Sequence, residues 1–238
     1  MAYVTAKDVV VEFPIYGTKS RSLKHTFIRA ATGGVLARDA ADRVVVKALN
    51  HINFEFKEGD RVGIVGHNGS GKSTLLRVIA GTYEPVHGEI SVEGKVASML
   101  SIAVGMESEA TGLENIYLRG TVMGLKPKQI EALVDGIADF SELGDYLQMP
   151  LRTFSSGMYM RLAFAISTSV PADIIVMDEW LSVGDAAFSE KAQQRMHDMI
   201  GRSKILFLAS HDETLIRKNC SAIIRLEHGQ LVSSERLN

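Results

Sequence analysis

Residues 61–74 read RVGIVGHNGSGKST, and this stretch decides the fold. The apolar run Arg61–Val65 has the length and composition of a short buried strand, and a helix-forming run follows at residues 74–80. The residues between them satisfy the spacing G-x-x-x-x-G-K-[ST] in full: Gly66, His67, Asn68, Gly69, Ser70, Gly71, Lys72 and Ser73. A strand, a glycine-rich loop and a helix in this order predict a phosphate-binding loop.

The composition of this loop indicates which ligand it takes. Its glycines let the backbone curl so that successive N–H groups face a phosphate, and the following helix adds its positive N-terminal end. Lys72 supplies a point charge to the β- and γ-phosphates, and Ser73 supplies a hydroxyl to Mg²⁺. Thr74 follows directly and is counted with the nucleotide-binding residues. The loop therefore predicts a nucleoside triphosphate with Mg²⁺ as the ligand.

Two later strand ends carry groups suited to hydrolysis. The apolar run 174–177 ends in Asp178 and Glu179. In P-loop enzymes an acid at such a strand end holds Mg²⁺, and a second acid can act as general base on the attacking water. His211 ends another apolar run, where a neutral ring could donate to a γ-phosphate oxygen. The sequence predicts Asp178 as a metal ligand, and Glu179 and His211 as catalytic residues.

The rest of the chain fits an α/β domain. Apolar runs that alternate with helices indicate a parallel sheet with catalytic residues at its strand ends. Helical spacing dominates residues 112–170. Further strands are predicted at residues 3–13, 44–56, 89–100, 222–226 and 230–232.

Bulk composition excludes several classes of function. The 238 residues suffice for one large domain, and the formal net charge of -2 argues against a dominant nucleic-acid surface. A single cysteine, Cys220, excludes an internal disulfide and a multi-thiolate metal site. No apolar run reaches the about 20 residues that a membrane helix needs. A function at a membrane would therefore need a second polypeptide to cross it.

Residues 153–165 read TFSSGMYMRLAFA and lie between the phosphate loop and the acid pair. This run resembles the signature motif of ABC ATPases, in which L-S-G-G-Q precedes a basic residue and an alanine-rich helix. Residues 182–185 (SVGD) resemble the D-loop of that family, and His211 stands where the family has its switch histidine. These motifs and the phosphate loop follow the family's order, and the resemblance covers nearly the whole chain.

The resemblance implies a fold and an activity. The expected fold class is an α/β P-loop ATPase with a mostly parallel core sheet, an N-terminal antiparallel β subdomain and a helical subdomain. Residues 1–238 would form a single ABC ATPase domain, with the helical subdomain over about residues 106–170 carrying the signature motif. The expected activity is ATP hydrolysis coupled to transport.

The resemblance also implies a composite site. Ser155, Ser156 and Gly157 open a helix and so make an anion site. In the family this site serves the γ-phosphate of ATP bound to the opposite subunit. Two chains would then sandwich ATP as a homodimer, with Asp185 at the same interface.

An aromatic residue soon after the first strand stacks on adenine in this family. Phe13 and Tyr16 are both candidates, and ordinary core packing is the alternative for each. Tyr16 is slightly favoured because its polar tip tolerates a partly wet site.

Departures from the usual motifs point to one branch of the family. Phe154, Ser156 and Met158 replace the usual Leu, Gly and Gln of the signature. Residues 98–106 contain no glutamine, although the Q-loop, which normally couples Mg²⁺ to the transporter, should lie there.

With the run TGLENIY at residues 111–117 and a long insert at residues 17–43, these departures resemble the ATPases that export bacterial polysaccharides. Those glycans are O-antigen, capsule and teichoic acid. The expected substrate is a lipid-linked polysaccharide, with O-antigen favoured, and the expected partner is a separate integral membrane permease. The chain would then lie at the cytoplasmic face of the bacterial inner membrane, with no nucleic-acid partner.

The insert at residues 17–43 contains a short stretch with basic amphipathic spacing. Leu23, Phe27 and Ala30 fall at helical intervals, with Lys24 and Arg29 elsewhere around the turn. We expect this helix to contact the permease or the membrane face. The alternative is a helix folded back on the core of the domain.

Two other functions remain open from the sequence. One is the ATPase of an importer, against which the absent glutamine and the insert argue. The other is a soluble ABC ATPase acting on nucleic acid or ribosomes, a class that usually has a coiled-coil insertion or two tandem cassettes.

Some O-antigen ATPases carry a C-terminal carbohydrate-binding domain, for which a sequence ending at Asn238 has no room. Either the system lacks that domain or it was removed from this chain.

Overall fold

A computed structural model describes residues 1–15, 35–38, 44–100, 102–179 and 186–237, with the backbone alone for 35–38 and 186–187. The chain divides into two compact units. The first comprises Met1–Leu100, Asp173–Trp180 and Ser203–Asn238, and the second comprises Ser101–Ala172 and Leu181–Arg202.

The described residues form ten strands and six α-helices. The strands are β1 (Tyr3–Pro14), β2 (Val35–Arg38), β3 (Val44–Lys57), β4 (Arg61–Val65), β5 (His87–Glu93), β6 (Val96–Ser98), β7 (Ile174–Asp178), β8 (Ile205–Ala209), β9 (Ala222–Glu227) and β10 (Gln230–Arg236). The helices are α1 (Lys72–Ile79), α2 (Gly112–Val122), α3 (Pro127–Ser141), α4 (Ser156–Ser167), α5 (Ala186–Arg202) and α6 (Glu213–Asn219). Short 3₁₀ turns at Gly144–Gln148 and Leu151–Thr153 precede α4.

The first unit contains two sheets. One has the order β2-β3-β1-β5 and is antiparallel throughout. The other has the order β10-β9-β4-β8-β7-β6 and is parallel except for β10. With the helices of the second unit, this arrangement confirms the expected fold class.

The parallel strands β4, β7 and β8 consist almost entirely of buried apolar residues. Such uninterrupted runs arise because both faces of a parallel sheet are covered. One face packs on α1 and on the antiparallel sheet, where Phe56 and Phe207 meet with ring centroids 5.6 Å apart. Because parallel strands end at the same edge, the residues after β4, β7 and β8 come together there.

The second unit is built around three phenylalanines. Phe140 of α3, Phe164 of α4 and Phe188 of α5 have ring centroids 5.5 to 6.3 Å apart. From Leu162 onward, α4 is apolar on nearly every side, and its residues are buried.

The run at residues 111–117 has a structural role in this unit. The Thr111 hydroxyl accepts the N–H of Glu114, and the Glu114 carboxylate accepts the N–H of Thr111, which together form a capping box at the start of α2. Fully buried Asn115 hydrogen-bonds the backbone of Glu107, Ala110 and Thr111. These bonds fix the segment before α2, which explains the motif without a ligand.

Most of the insert at residues 17–43, including the expected amphipathic helix, lies outside the described residues. The exception is β2, which pairs with β3 as an additional strand of the antiparallel sheet. The sequence did not indicate this strand. Within the described ranges, none of the helices combines the length and the apolar character that a membrane crossing requires.

Candidate nucleotide-binding and hydrolysis site

The loop between β4 and α1 has two positions that accept only glycine. Gly66 has φ +154° and Gly71 has φ +108°. A Cβ at Gly66 would overlap the Leu226 carbonyl oxygen, and a Cβ at Gly71 would lie 2.7 Å from the Ala48 carbonyl oxygen. Both the backbone conformation and the lack of space therefore require the glycines that the motif specifies.

The turn between β9 and β10 fastens this loop to β3. The Gly229 N–H donates to the Ser70 carbonyl at 3.0 Å, and the Gly229 carbonyl accepts the Asn50 N–H at 2.8 Å. Inside the loop, the Ser70 N–H donates to the His67 carbonyl at 3.1 Å. The loop is therefore held by its own backbone and by two neighbouring segments.

Lys72 closes the loop from its C-terminal side. Its ammonium donates to the carbonyls of Gly66 at 2.8 Å and His67 at 3.1 Å, and the residue is buried. These two hydrogen bonds hold the Lys72 side chain back along the loop. The cation thus lies where a phosphate cradled by the loop would meet it.

A cavity of about 450 Å³ opens beside the loop. Phe13 of β1 and residues of β3 form one wall, and the two acids at the end of β7 form another. The loop and the first residues of α1 supply the rest: Asn68, Gly69, Gly71, Lys72, Ser73 and Thr74. The predicted loop and acid residues are therefore brought together around one space.

Asp178 and Glu179 occupy different positions at the end of β7. The Asp178 carboxylate accepts a hydrogen bond from the Ser73 hydroxyl, so the two oxygens meet at the rim of the cavity. Glu179 has φ +70°, a conformation that costs a non-glycine residue on the order of 1–3 kcal/mol. Its N–H donates to the Ala209 carbonyl at 2.8 Å, so the end of β8 holds the strained backbone in place.

The Glu179 carboxylate is bound by groups that follow β8. It accepts the Ser210 hydroxyl at 3.0 Å, and the His211 Nδ1 lies 2.9 Å from its Oε1. Partial burial raises the pKa of Glu179, but the hydrogen bonds from His211 and Ser210 outweigh this effect and leave the pKa below its ordinary value. Glu179 is therefore ionised, as a general base must be.

The same contact shifts the pKa of His211 in the opposite direction. Its hydrogen bond with Glu179, and then the charge of that carboxylate, raise the pKa of His211. The pair therefore favours an imidazolium here, whereas the sequence-based expectation assumed a neutral ring. Ser210 was not among the predicted residues, although its place directly before His211 at the end of β8 was the available signal.

The signature residues lie in the second unit. Ser155 caps α4, and its hydroxyl accepts the Met158 N–H at 3.2 Å. Ser156 and Gly157 are the first residues of the helix, whose opening N–H groups have no partner within a helix. A Cβ at Gly157 would meet nothing closer than the Ser155 hydroxyl at 3.9 Å. The outer side of this helix start is therefore open.

Of the two adenine candidates, Phe13 lies on the cavity wall, 36% exposed, with its ring edge against Tyr83 at a centroid distance of 5.3 Å. Tyr16 and Asp185 lie outside the described residues.

A glycine loop between a parallel strand and a helix, with a lysine in it and two acids at the end of another parallel strand, defines a P-loop nucleoside triphosphatase. Residues 49–182, more than half of the chain, match the ABC transporter family. The chain belongs to this family, and it binds and hydrolyses ATP.

The sequence similarity to known proteins extends over nearly the full chain. It is similar to the O-antigen export system ATP-binding protein RfbE of Yersinia enterocolitica, with 46% identity over 96% of both chains. It is 37% identical to the teichoic acids export ATP-binding protein TagH of Bacillus anthracis, over 96% of this chain and 40% of that protein. A dimeric structure of the ATP-binding cassette MJ0796 with ADP and Pi has the same fold, with a TM-score of 0.68, 21% identity and 99% of both chains covered.

The position of Glu179 predicts the effect of removing its charge. Glu179→Gln keeps the shape of the side chain and leaves the phosphate loop intact, so ATP binding should persist. Turnover should fall by about 10²–10⁴-fold, because the base is lost. Phosphate release and ATP binding are measured on the same samples, with exposed Glu84→Gln as the control. Near-normal hydrolysis by Glu179→Gln would exclude this residue as the base.

The cavity wall predicts a stacking contact at Phe13. Phe13→Ala should weaken ATP binding, because stacking of an aromatic ring on a base contributes about 1–3 kcal/mol. Affinity for ATP is measured for this variant and for Tyr16→Ala. A larger loss for Tyr16→Ala would assign the contact to Tyr16, and equal, small losses would remove both candidates.

Proposed function

We propose that this chain is the ATPase subunit that powers export of a lipid-linked polysaccharide through a separate membrane permease, with O-antigen as the expected glycan. The observation that carries the proposal is its 46% identity, over 96% of both chains, with a protein named for O-antigen export. TagH, named for export of another glycan polymer, supports the same direction of transport. These relatives favour an exporter over an importer or a nucleic-acid ATPase.

In the proposed reaction the loop cradles the phosphates and Lys72 contributes its charge. Glu179 accepts the proton of the attacking water, and its lowered pKa keeps the carboxylate ionised for this role. When ATP is bound, His211 would exchange its contact with Glu179 for the γ-phosphate. Ser210 keeps a second hydrogen bond to Glu179 and would hold the carboxylate in place during that exchange.

Mg²⁺ fits the residues at the cavity rim. Ser73 and Asp178 present a hydroxyl and a carboxylate to one another, and hard oxygen ligands of this kind suit Mg²⁺. In the described part of the chain no group of three or more His, Cys, Asp or Glu could hold a metal. This suits an ion that takes one or two protein ligands and completes its shell with phosphate and water. The ion would neutralise charge on the phosphates.

The open start of α4 supports a composite site with a second copy of the chain. The N–H groups of Ser156 and Gly157, with the Ser155 cap, open the helix and are suited to bind an anion. We assign this site to the γ-phosphate of ATP bound by the partner subunit, with Asp185 at the same interface. The functional form is then a homodimer that closes around two ATP molecules.

The dimer proposal predicts complementation between two inactive variants. Gly157→Glu should disable the site that it completes on the partner subunit while leaving ATP binding by its own phosphate loop intact, because the added side chain points into open space and not into its own unit. Lys72→Ala should fail to bind ATP but keep a normal signature. Neither homodimer should hydrolyse ATP, whereas their mixture should recover one complete site per heterodimer.

Hydrolysis is measured at several mixing ratios of the two variants, with wild type mixed with each of them as reference. Activity should peak near equal amounts. A mixture as inactive as its components, or a Gly157→Glu homodimer with normal activity, contradicts the composite site.

The proposed transport role includes a membrane partner. We place the chain at the cytoplasmic face of the bacterial inner membrane, bound to an integral permease. The insert at residues 17–43 is the proposed contact surface for the permease or the lipid face.

Co-purification tests the transport role. The tagged chain should bring down one integral membrane protein, and that partner should change its ATPase rate. Cells without the chain should accumulate a lipid-linked glycan, and wild type should restore export whereas Lys72→Ala should not. Normal surface polysaccharide without the chain would refute the proposal.

A further inference from the structure

The loop at residues 102–106 stands where the family resemblance places the Q-loop, but it contains no glutamine. It begins with buried Ile102, and Val104 is 66% exposed. Gly105 has φ +81°, a left-handed conformation that favours glycine. The loop belongs to the second unit, together with α2 and α4.

The first hydrogen bond that holds this loop comes from α4, the helix that begins with the signature residues. The Tyr159 hydroxyl donates to the Ala103 carbonyl at 3.2 Å. Tyr159 lies in the first turn of α4, where its N–H donates to the Ser155 carbonyl at 3.0 Å. One residue therefore connects the loop to the turn that carries the anion site.

The second contact comes from Arg119 of α2. Its guanidinium donates to the Val104 carbonyl through one terminal nitrogen, and to the Ser167 hydroxyl at 3.2 Å through the other. Buried Ser167 is the last residue of α4. The planar guanidinium can reach both groups at once, which a lysine ammonium on its flexible stem does less well.

The buried position of Arg119 has an energetic cost. Its Nε is buried and has no hydrogen-bond partner in the part of the chain that the structure describes. Burial lowers the pKa of Arg119, and nearby Tyr159 opposes this fall. A buried, unsatisfied donor calls for an explanation, and a functional demand on the geometry provides one.

We infer that Arg119 and Tyr159 are positioning residues that fasten two consecutive carbonyls of the 102–106 loop to the two ends of α4. Displacement of the loop then moves the first turn of α4 and the anion site of Ser155 to Gly157. This inference rests on the proposed action of the signature residues on the partner's ATP.

Tyr159→Phe tests the inference, because it removes one hydroxyl and keeps the ring. With the full chain and ATP alone, kcat should fall about threefold to tenfold, the effect of losing one hydrogen bond. KM for ATP and equilibrium ATP binding should not change, because the phosphate loop keeps all its contacts. Tyr146→Phe, at a tyrosine that is 58% exposed in the same unit, should keep wild-type kcat and KM.

Arg119→Lys provides a second and independent variant. It keeps the charge but is less able to donate to Val104 and Ser167 together, so kcat should fall by a similar factor. The double variant should lose much less than the product of the two single losses, because both residues hold the same loop.

Three results would overturn the inference. Wild-type kcat in Tyr159→Phe would show that its hydroxyl positions nothing. Losses that multiply in the double variant would show that the residues act separately. A fall in kcat accompanied by weaker ATP binding and a lower melting temperature would show a general structural role. No permease or glycan is present in these assays, so failure of the export proposal would leave their outcome unchanged.

Discussion

The structure of the nucleotide site depends on a close approach of three backbone segments that leaves no room for a Cβ. The phosphate loop packs against the carbonyl of Ala48 in β3 and that of Leu226 in β9, and Gly229 bridges the loop and β3 by hydrogen bonds. These contacts fix the path of the chain between Gly66 and Gly71. The direction in which Lys72 and Ser73 leave the loop follows from that path.

The second constraint is the order of strands in the parallel sheet. Because β8 lies between β4 and β7, its C-terminal end is next to both the phosphate loop and the acid pair. The Ala209 carbonyl holds the strained backbone of Glu179, and the following residues hold its carboxylate. As the proposed general base, Glu179 is restrained at both backbone and side chain and would need little rearrangement before reaction. In the proposed mechanism, hydrolysis depends on groups that three separate strands bring to one edge.

Sequence reasoning succeeded where the signal was local. The strand Arg61–Val65, the loop after it and the strand before Asp178 were predicted because each is a short motif or an uninterrupted apolar run. It missed β2, because the four residues of β2 lie in a region rich in glycine and alanine. They form a strand through their pairing with β3. It also missed Arg119 and Tyr159, because their partners are backbone carbonyls 15 and 56 residues away and leave no pattern in the sequence.

If the steric restriction at the loop creates the ATP site, then the affinity for ATP, measured by calorimetry, must depend on Gly71. Gly71→Ala and Gly81→Ala form a matched pair, because both glycines have positive φ but only a Cβ added at Gly71 would lie within 3.0 Å of a backbone atom, whereas Gly81 faces open space. Gly71→Ala should lose about tenfold or more in affinity, since overpacking a rigid site costs about 1–3 kcal/mol. Gly81→Ala should bind like wild type. Equal ATP affinity for wild type and Gly71→Ala would show that the ATP site does not depend on this restriction.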